Sequence, residues 1–194
     1  MKETIADHMR ESSAVLAKMI DDRALQDTIG RIVDACVAAL RGENKLLFMG
    51  NGGSAADAQH LAGEMVSRFA FDRPGLPAFA LTVDTSVMTA IGNDYGYEHL
   101  FARQVQAVAR KGDILFGFST SGNSPNILLA LEMARKMGLV TVGMTGNRKA
   151  KITGLVDHCV EIPSPMTPKI QEGHIVVGHI ICGMIEDRMF ERPA

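Results

Sequence analysis

The chain has 194 residues, 46% of them hydrophobic and 22% charged, with 19 glycines and a formal net charge of −2. That balance fits one globular domain with a single buried core, and without a basic block it excludes a phosphate-tracking nucleic-acid surface. Cys36, Cys159 and Cys182 are too far apart for a zinc knuckle or a CxxC redox pair. No run approaches the roughly 20 apolar residues of a membrane span. The polar start Met1-Lys2-Glu3 has no signal core, so the expected address is the cytoplasm, with reduced thiols. The small negative charge still permits an anionic substrate, because a few oriented N–H groups bind phosphate locally.

The first apolar pattern runs from Ile5 to Ile20 at helical spacing, and the second from Leu25 to Leu40, stopped by Gly42. Both precede any strand, so they are expected to pack outside the sheet, with one stripe each available for pairing with other copies of the chain. Short apolar runs follow at Lys45–Met49, Pro77–Thr82, Ile114–Ser119, Leu139–Met144 and His158–Ile162. Helical patterns fill the intervals at Ser54–Phe69, Thr85–Asn93, His99–Arg110 and Asn123–Met137, and a last one runs from Pro168 to Phe190. Strands apolar on both faces and alternating with helices predict a three-layer α/β domain around a parallel sheet of five strands. Arg148–Val156 fits a short helix or a loop equally. Residues 1–42 form the N-terminal helices and 43–194 the sheet-containing core of one domain.

In such sheets ligands gather beyond the carboxyl ends of the strands. The first strand leads into Gly50-Asn51-Gly52-Gly53-Ser54, where glycine allows close approach and Ser54 can cap the next helix. The glycines alone fit a plain turn as well as a binding loop. Ser119-Thr120-Ser121-Gly122-Asn123-Ser124 follows the third strand and points to an anion cradle, since a simple cap needs one such side chain rather than five. Neither GxxxxGK[ST] nor GxGxxG is present, which argues against a nucleotide, and a sugar phosphate suits serines without a lysine.

His60 and Glu64 stand one helical turn apart, and Gln171 and His179 share one side of the last helix. A His–Glu pair at this spacing can ligate a metal or hold a general base, but on its own it is most often a surface contact. His8 is expected on a solvated face. His174, one turn after Gln171, fits core packing better than a place behind the site.

Taken together, the two loops within this strand order resemble a sugar isomerase (SIS) domain. More narrowly, the chain resembles the phosphoheptose isomerases, through Arg73-Pro74-Gly75-Leu76-Pro77-Ala78, Gly92-Asn93-Asp94-Tyr95-Gly96 and Ile170-Gln171-Glu172. The resemblance implies a flavodoxin-like sheet, a homotetramer with active sites at subunit interfaces, and one zinc ion per subunit held by His60, Glu64, Gln171 and His179. It implies phosphate binding by Ser119, Thr120, Ser121 and Ser124, with Asn51, Gly52, Gly53, Ser54, Arg68, Asn93 and Asp94 also near the substrate. The implied reaction turns sedoheptulose 7-phosphate into D-glycero-D-manno-heptose 7-phosphate, the first step toward activated heptose for lipopolysaccharide or capsule. Such an isomerisation passes through an enediol, so Glu64 is expected as base and His179 as acid–base partner. The chain departs from the family where an acidic residue and an arginine commonly precede Ile-Gln-Glu, for here stand Pro168 and Lys169. A competing reading is a non-catalytic SIS protein that binds the bacterial replication initiator. The presence of both Glu64 and His179 favours the enzyme.

Overall fold

A computed structural model of the protein describes residues 4–192, so the polar Met1-Lys2-Glu3 start lies outside them. Helix α1 (Ile5–Asp21) opens with a capping box, in which Thr4 Oγ1 accepts the Asp7 N–H while the Asp7 carboxylate accepts the Thr4 N–H. Helix α2 (Arg23–Arg41) starts on Asp22, which accepts the Leu25 N–H, and ends at Gly42. It buries one face built from Leu25, Ile29, Ile32, Val33, Cys36, Val37 and Leu40. Helix α2 packs outside the sheet, as expected, as part of a covering layer: it lies against the sheet as well as against the last helix. Its apolar stripe is therefore used within the chain. That of α1 is only partly used, leaving Ile5, Met9 and Ile20 exposed.

The rest alternates as the apolar runs predict: β1 (Leu46–Gly50), α3 (Gly53–Val66), β2 (Ala78–Ala80), α4 (Thr85–Tyr95), α5 (Leu100–Val108), β3 (Ile114–Phe118), α6 (Pro125–Met137), β4 (Val140–Gly146), β5 (His158–Ile162) and α7 (Thr167–Met189). All strand pairs are parallel, in the order β2-β1-β3-β4-β5, with Leu46 opposite both Ala78 and Ile114 and with Val142 opposite His158. The edge strand β2 keeps only three residues of its predicted run. Arg148–Val156 is loop apart from a single 3-10 turn at Ile152–Gly154. Another 3-10 turn, Tyr97–His99, precedes α5, so that helix begins at Leu100 rather than His99.

One face of the sheet is covered by α2, α3 and α7, with Phe48 and Phe116 stacked at 4.8 Å within that core. The other is covered by α5 and α6 around Leu47, Met49, Leu115 and Ile127. Strands β1 and β3 are buried throughout, the condition for a parallel sheet between two helical layers.

Helix α3 ends at Val66, three residues short of expectation, for a reason that lies on α7. The Glu186 carboxylate, 1% exposed, accepts the N–H groups of Phe69 (2.8 Å) and Ala70 (2.7 Å), which are thereby lost to the helical ladder. Arg73 completes the clamp. Its Nε donates to Glu186 at 2.9 Å, and its other nitrogens donate to the carbonyls of Glu64, Met65 and Ser67 that α3 leaves open at its end. Burial alone would raise the Glu186 carboxyl, but the Phe69 and Ala70 N–H groups and Arg73 together hold it below the usual carboxylate range.

Lys169 occupies the first turn of α7 in a similar tie. It is buried, and its Nζ donates to Ser12 Oγ (2.6 Å) and to the His8 carbonyl (3.2 Å) of α1 and reaches Glu172 at 3.2 Å. The Pro168-Lys169 departure thus has a structural use: the lysine fastens α1 to the start of α7.

His174 is fully buried in α7, with Nε2 3.2 Å from the Thr145 carbonyl and its ring edge-on to Phe118. Because a carbonyl only accepts, Nε2 carries the proton of a neutral ring. Burial pushes its pKa down from 6.5 to about 4, the Thr145 contact opposing. The unfolded chain therefore binds a proton between those values that the folded one refuses, and stability falls as pH drops through that window. Between pH 7 and 5 this amounts to roughly 2 kcal/mol. Urea unfolding at the two pH values should show that extra loss in the wild type and not in His174→Gln. Equal pH dependence in both would refute the assignment.

Candidate active site

Strand order reverses between β1 and β3, and ligands bind at this switch point in open α/β sheets. Both predicted loops leave the sheet there. After β1 the chain turns at Gly52 (φ 58°) straight into α3. Gly52 is the cap residue, so the expected Ser54 cap does not form. Ser54 lies buried inside the first turn of α3. Gly53 is required by its neighbour, since a Cβ there would stand 2.7 Å from the Gln171 side-chain nitrogen.

The loop after β3 brings the hydroxyls of Ser119, Ser121 and Ser124 together. Ser119 Oγ lies 2.9 Å from Ser124 Oγ and 3.5 Å from Ser121 Oγ, directly before α6. Gly122 (φ 62°) makes the turn, packed so closely against Ala150, Ile152 and Thr145 that no side chain fits. The Thr120 carbonyl accepts the Gly146 N–H and ties the loop to the end of β4. Asn51 and Asn126 join the two loops through paired amide hydrogen bonds of 3.0 and 2.8 Å, and Tyr97 donates its hydroxyl proton to Asn51 at 3.0 Å. Around them lies a cavity of about 280 Å³ lined by Asn51, Tyr97, Glu98, Ser124, Pro125 and Asn126.

On the other side of the β1–α3 loop, α3 and α7 bring His60, Glu64 and His179 together. His60 Nε2 is 2.8 Å from His179 Nε2 and 3.1 Å from a Glu64 oxygen, and one potential ligand atom from each residue lies within 4.8 Å of the others. Two imidazoles and a carboxylate, partly exposed, form a donor set that could hold a metal ion such as zinc, and the Gln171 amide lies against Gly53 at the start of α3. Gln171 and His179 share one side of α7, as their spacing suggested, and the structure turns that side toward α3.

Other predicted residues stand apart. Arg68 is exposed in the segment after α3. Asn93 and Asp94 lie in the last turn of α4, Asn93 donating to Asp94 at 2.8 Å. Asp94 lines a groove of about 890 Å³ between β2, α4 and α5 that includes none of His60, Glu64 and His179. Three residues were missed from sequence. Asn126 and Tyr97 hold Asn51, and Asp57, one turn before His60, has a buried Oδ2 without a hydrogen-bond partner and a carboxyl raised by burial, with His60 opposing. The spacing of Asp57 from His60 was a usable signal. The amide pair, joining residues 75 positions apart, gave none.

The family model for the SIS domain matches residues 7–146, and so defines the class that this sheet and its serine loop represent. A phosphoheptose isomerase from Burkholderia pseudomallei is 58% identical over 186 residues, covering 96% of this chain and 94% of the relative. One from Aneurinibacillus thermoaerophilus is 53% identical, covering 98% and 96% respectively. Among solved structures, the phosphoheptose isomerase from Francisella tularensis superposes with a TM-score of 0.90 at 34% identity, covering 94% of this chain and 96% of that one. That from Neisseria gonorrhoeae gives 0.87 at 40% identity, covering 93% and 96%. The chain belongs to the phosphoheptose isomerase family.

If His60, Glu64 and His179 are ligands, His60→Ala should lose most of the zinc found by elemental analysis of wild-type protein prepared without chelator. Unchanged metal content in this variant would exclude the site.

Proposed function

We infer that the chain isomerises sedoheptulose 7-phosphate to D-glycero-D-manno-heptose 7-phosphate through an enediol. The observation that carries this is the meeting of Glu64 with His60 and His179 between α3 and α7, where α3 begins at the loop that Asn51 ties to Asn126 at the start of α6, next to the serine cradle. The relatives named above support the same reading.

The serines hold the phosphate as hydrogen-bond donors, aided by the α6 N-terminus, and so orient the sugar toward α3 and α7. Glu64 takes a proton from C1 of the open-chain ketose, and the C2 carbonyl becomes part of the enediol. His179 gives a proton to the C2 oxygen and takes one from the C1 oxygen, and Glu64 returns its proton to C2. The hydrogen lost at C1 is balanced at C2, and an aldehyde remains at C1. A zinc ion held by His60, Glu64, Gln171 and His179 would stabilise negative charge developing on the two oxygens. Asn51, held by Asn126 and Tyr97, presents its amide at the cavity, with Gly52, Gly53 and Ser54 beside it, while Arg68, Asn93 and Asp94, which stand apart within one chain, would reach substrate across the subunit interfaces of an oligomer.

We further propose a homotetramer, supported by the exposed Ile5, Met9 and Ile20 along α1, with residues 1–42 contributing to the interfaces. A cytoplasmic setting suits three free thiols, two of them buried. Among the described residues no helix is long and apolar enough to cross a membrane. The product heptose would serve lipopolysaccharide or capsule synthesis. For a protein that only binds the replication initiator, an acid–base cluster beside an anion cradle has no use.

Glu64→Gln should lower kcat by about a hundred- to ten-thousand-fold, with metal content measured alongside so that lost zinc is not mistaken for a lost base. Ser121→Ala should mainly raise KM, since its phosphate contact is made in ground and transition states alike. Near-normal turnover by zinc-loaded Glu64→Gln would refute the mechanism.

A further inference from the structure

We infer that Phe69 is a positioning residue for His179, held in place by the Glu186 carboxylate. Its consequence for turnover rests on the isomerase reading above, while its consequence for metal binding does not.

Glu186 accepts both the N–H of Phe69 and the N–H that follows it, so the peptide planes on either side of the Phe69 Cα are fixed. The direction of its side chain is then set, and the ring comes to rest 5.8 Å from the His179 ring, tilted by 46°. Room for it is made by Gly183, one turn beyond His179, where a Cβ would lie 3.0 Å from the Phe69 ring. Glu186 and His179 are seven residues apart on α7, two helical turns along one face. Anchor, ring and imidazole are therefore measured along a single rigid rod.

The ring walls one side of the imidazole while His60 Nε2 meets its far nitrogen at 2.8 Å, which restricts rotation of His179. The same carboxylate is bonded to Arg73, whose guanidinium donates to the Glu64 carbonyl at 2.8 Å. One buried ion pair thus indexes the backbone that carries the base and the ring that braces its partner. Groups that orient metal-binding side chains typically contribute about 10- to 100-fold in affinity or activity.

The test compares Phe69→Leu, which keeps an apolar branched side chain without the flat ring, with Phe69→Tyr, which keeps the ring. Zinc affinity is measured by chelator competition, and steady-state kinetics are measured with sedoheptulose 7-phosphate. Phe69→Leu should bind zinc about tenfold more weakly and lose about tenfold in kcat with KM within about twofold, while its melting temperature stays near wild type. Phe69→Tyr should restore both. Glu186→Gln should lose zinc affinity as Phe69→Leu does, and adding Phe69→Leu to it should cost little more, as expected of groups acting in one chain. Phe69→Leu with wild-type zinc affinity and kcat would overturn the inference, as would losses that Phe69→Tyr fails to recover. A wild-type chain that binds zinc but does not turn over the heptulose phosphate would end the isomerase reading alone, and the zinc comparison would still decide the role of Phe69.

Discussion

Helices α3 and α7 meet at a glycine, and the site is built on that approach. A Cβ at Gly178 would stand 2.7 Å from both methyl carbons of Leu61, so only a residue without a side chain lets the two backbones come this near. One residue further along α7 stands His179, and one residue before Leu61 on α3 stands His60. The contact that closes the helices therefore also brings the two imidazoles within hydrogen-bond distance. At the far end the Arg73–Glu186 pair holds the helices in register, with nearly every polar atom of the pair engaged by backbone. Buried ion pairs repay their desolvation only when such additional hydrogen bonds are made.

The two halves of the site divide the chemistry by charge. The serine cradle is neutral, and in the proposed function it takes the phosphate through hydroxyls, backbone N–H groups and the start of α6, an arrangement that suits a chain of net charge −2. The α3–α7 cluster carries groups able to exchange protons or to hold a cation. Between them runs the short β1–α3 loop, with Asn51 turned to Asn126 on the cradle side and Gly53 to Gln171 on the cluster side. Its two glycines are needed for different reasons: Gly52 for a positive φ, Gly53 for the space that Gln171 fills.

Much of this was legible in the sequence because it is written in local pattern. Buried parallel strands are short apolar runs, and the cradle is one contiguous segment. The i,i+4 spacing of His60 and Glu64 places them together once the helix is assumed. The resemblance to the phosphoheptose isomerases supplied the pairing of α3 with α7, which spacing could not. What stayed hidden depends on contacts between distant positions. The early end of α3 is dictated by Glu186, over a hundred residues away. The place of α2 in a covering layer follows from its docking on β5 and α7, to which its own periodicity is blind. Ser54 looked like a cap because its residue type favours caps, but Gly52 already occupies that position. The Asn51–Asn126 pair and the Lys169 strap are likewise long-range polar contacts with no local signature.

In the proposed reaction a protein base moves a proton between two carbons of a sugar phosphate. The most direct measurement is to run the conversion of sedoheptulose 7-phosphate in deuterium oxide and read the aldose by NMR. A proton held by a carboxylate at a partly exposed site exchanges with solvent, so deuterium is expected at C2 of the product. Product whose C2 hydrogen comes wholly from C1 of the substrate at every stage of conversion would contradict it, since a partly exposed carboxylate that holds the proton loses part of it to solvent before the enediol is reprotonated.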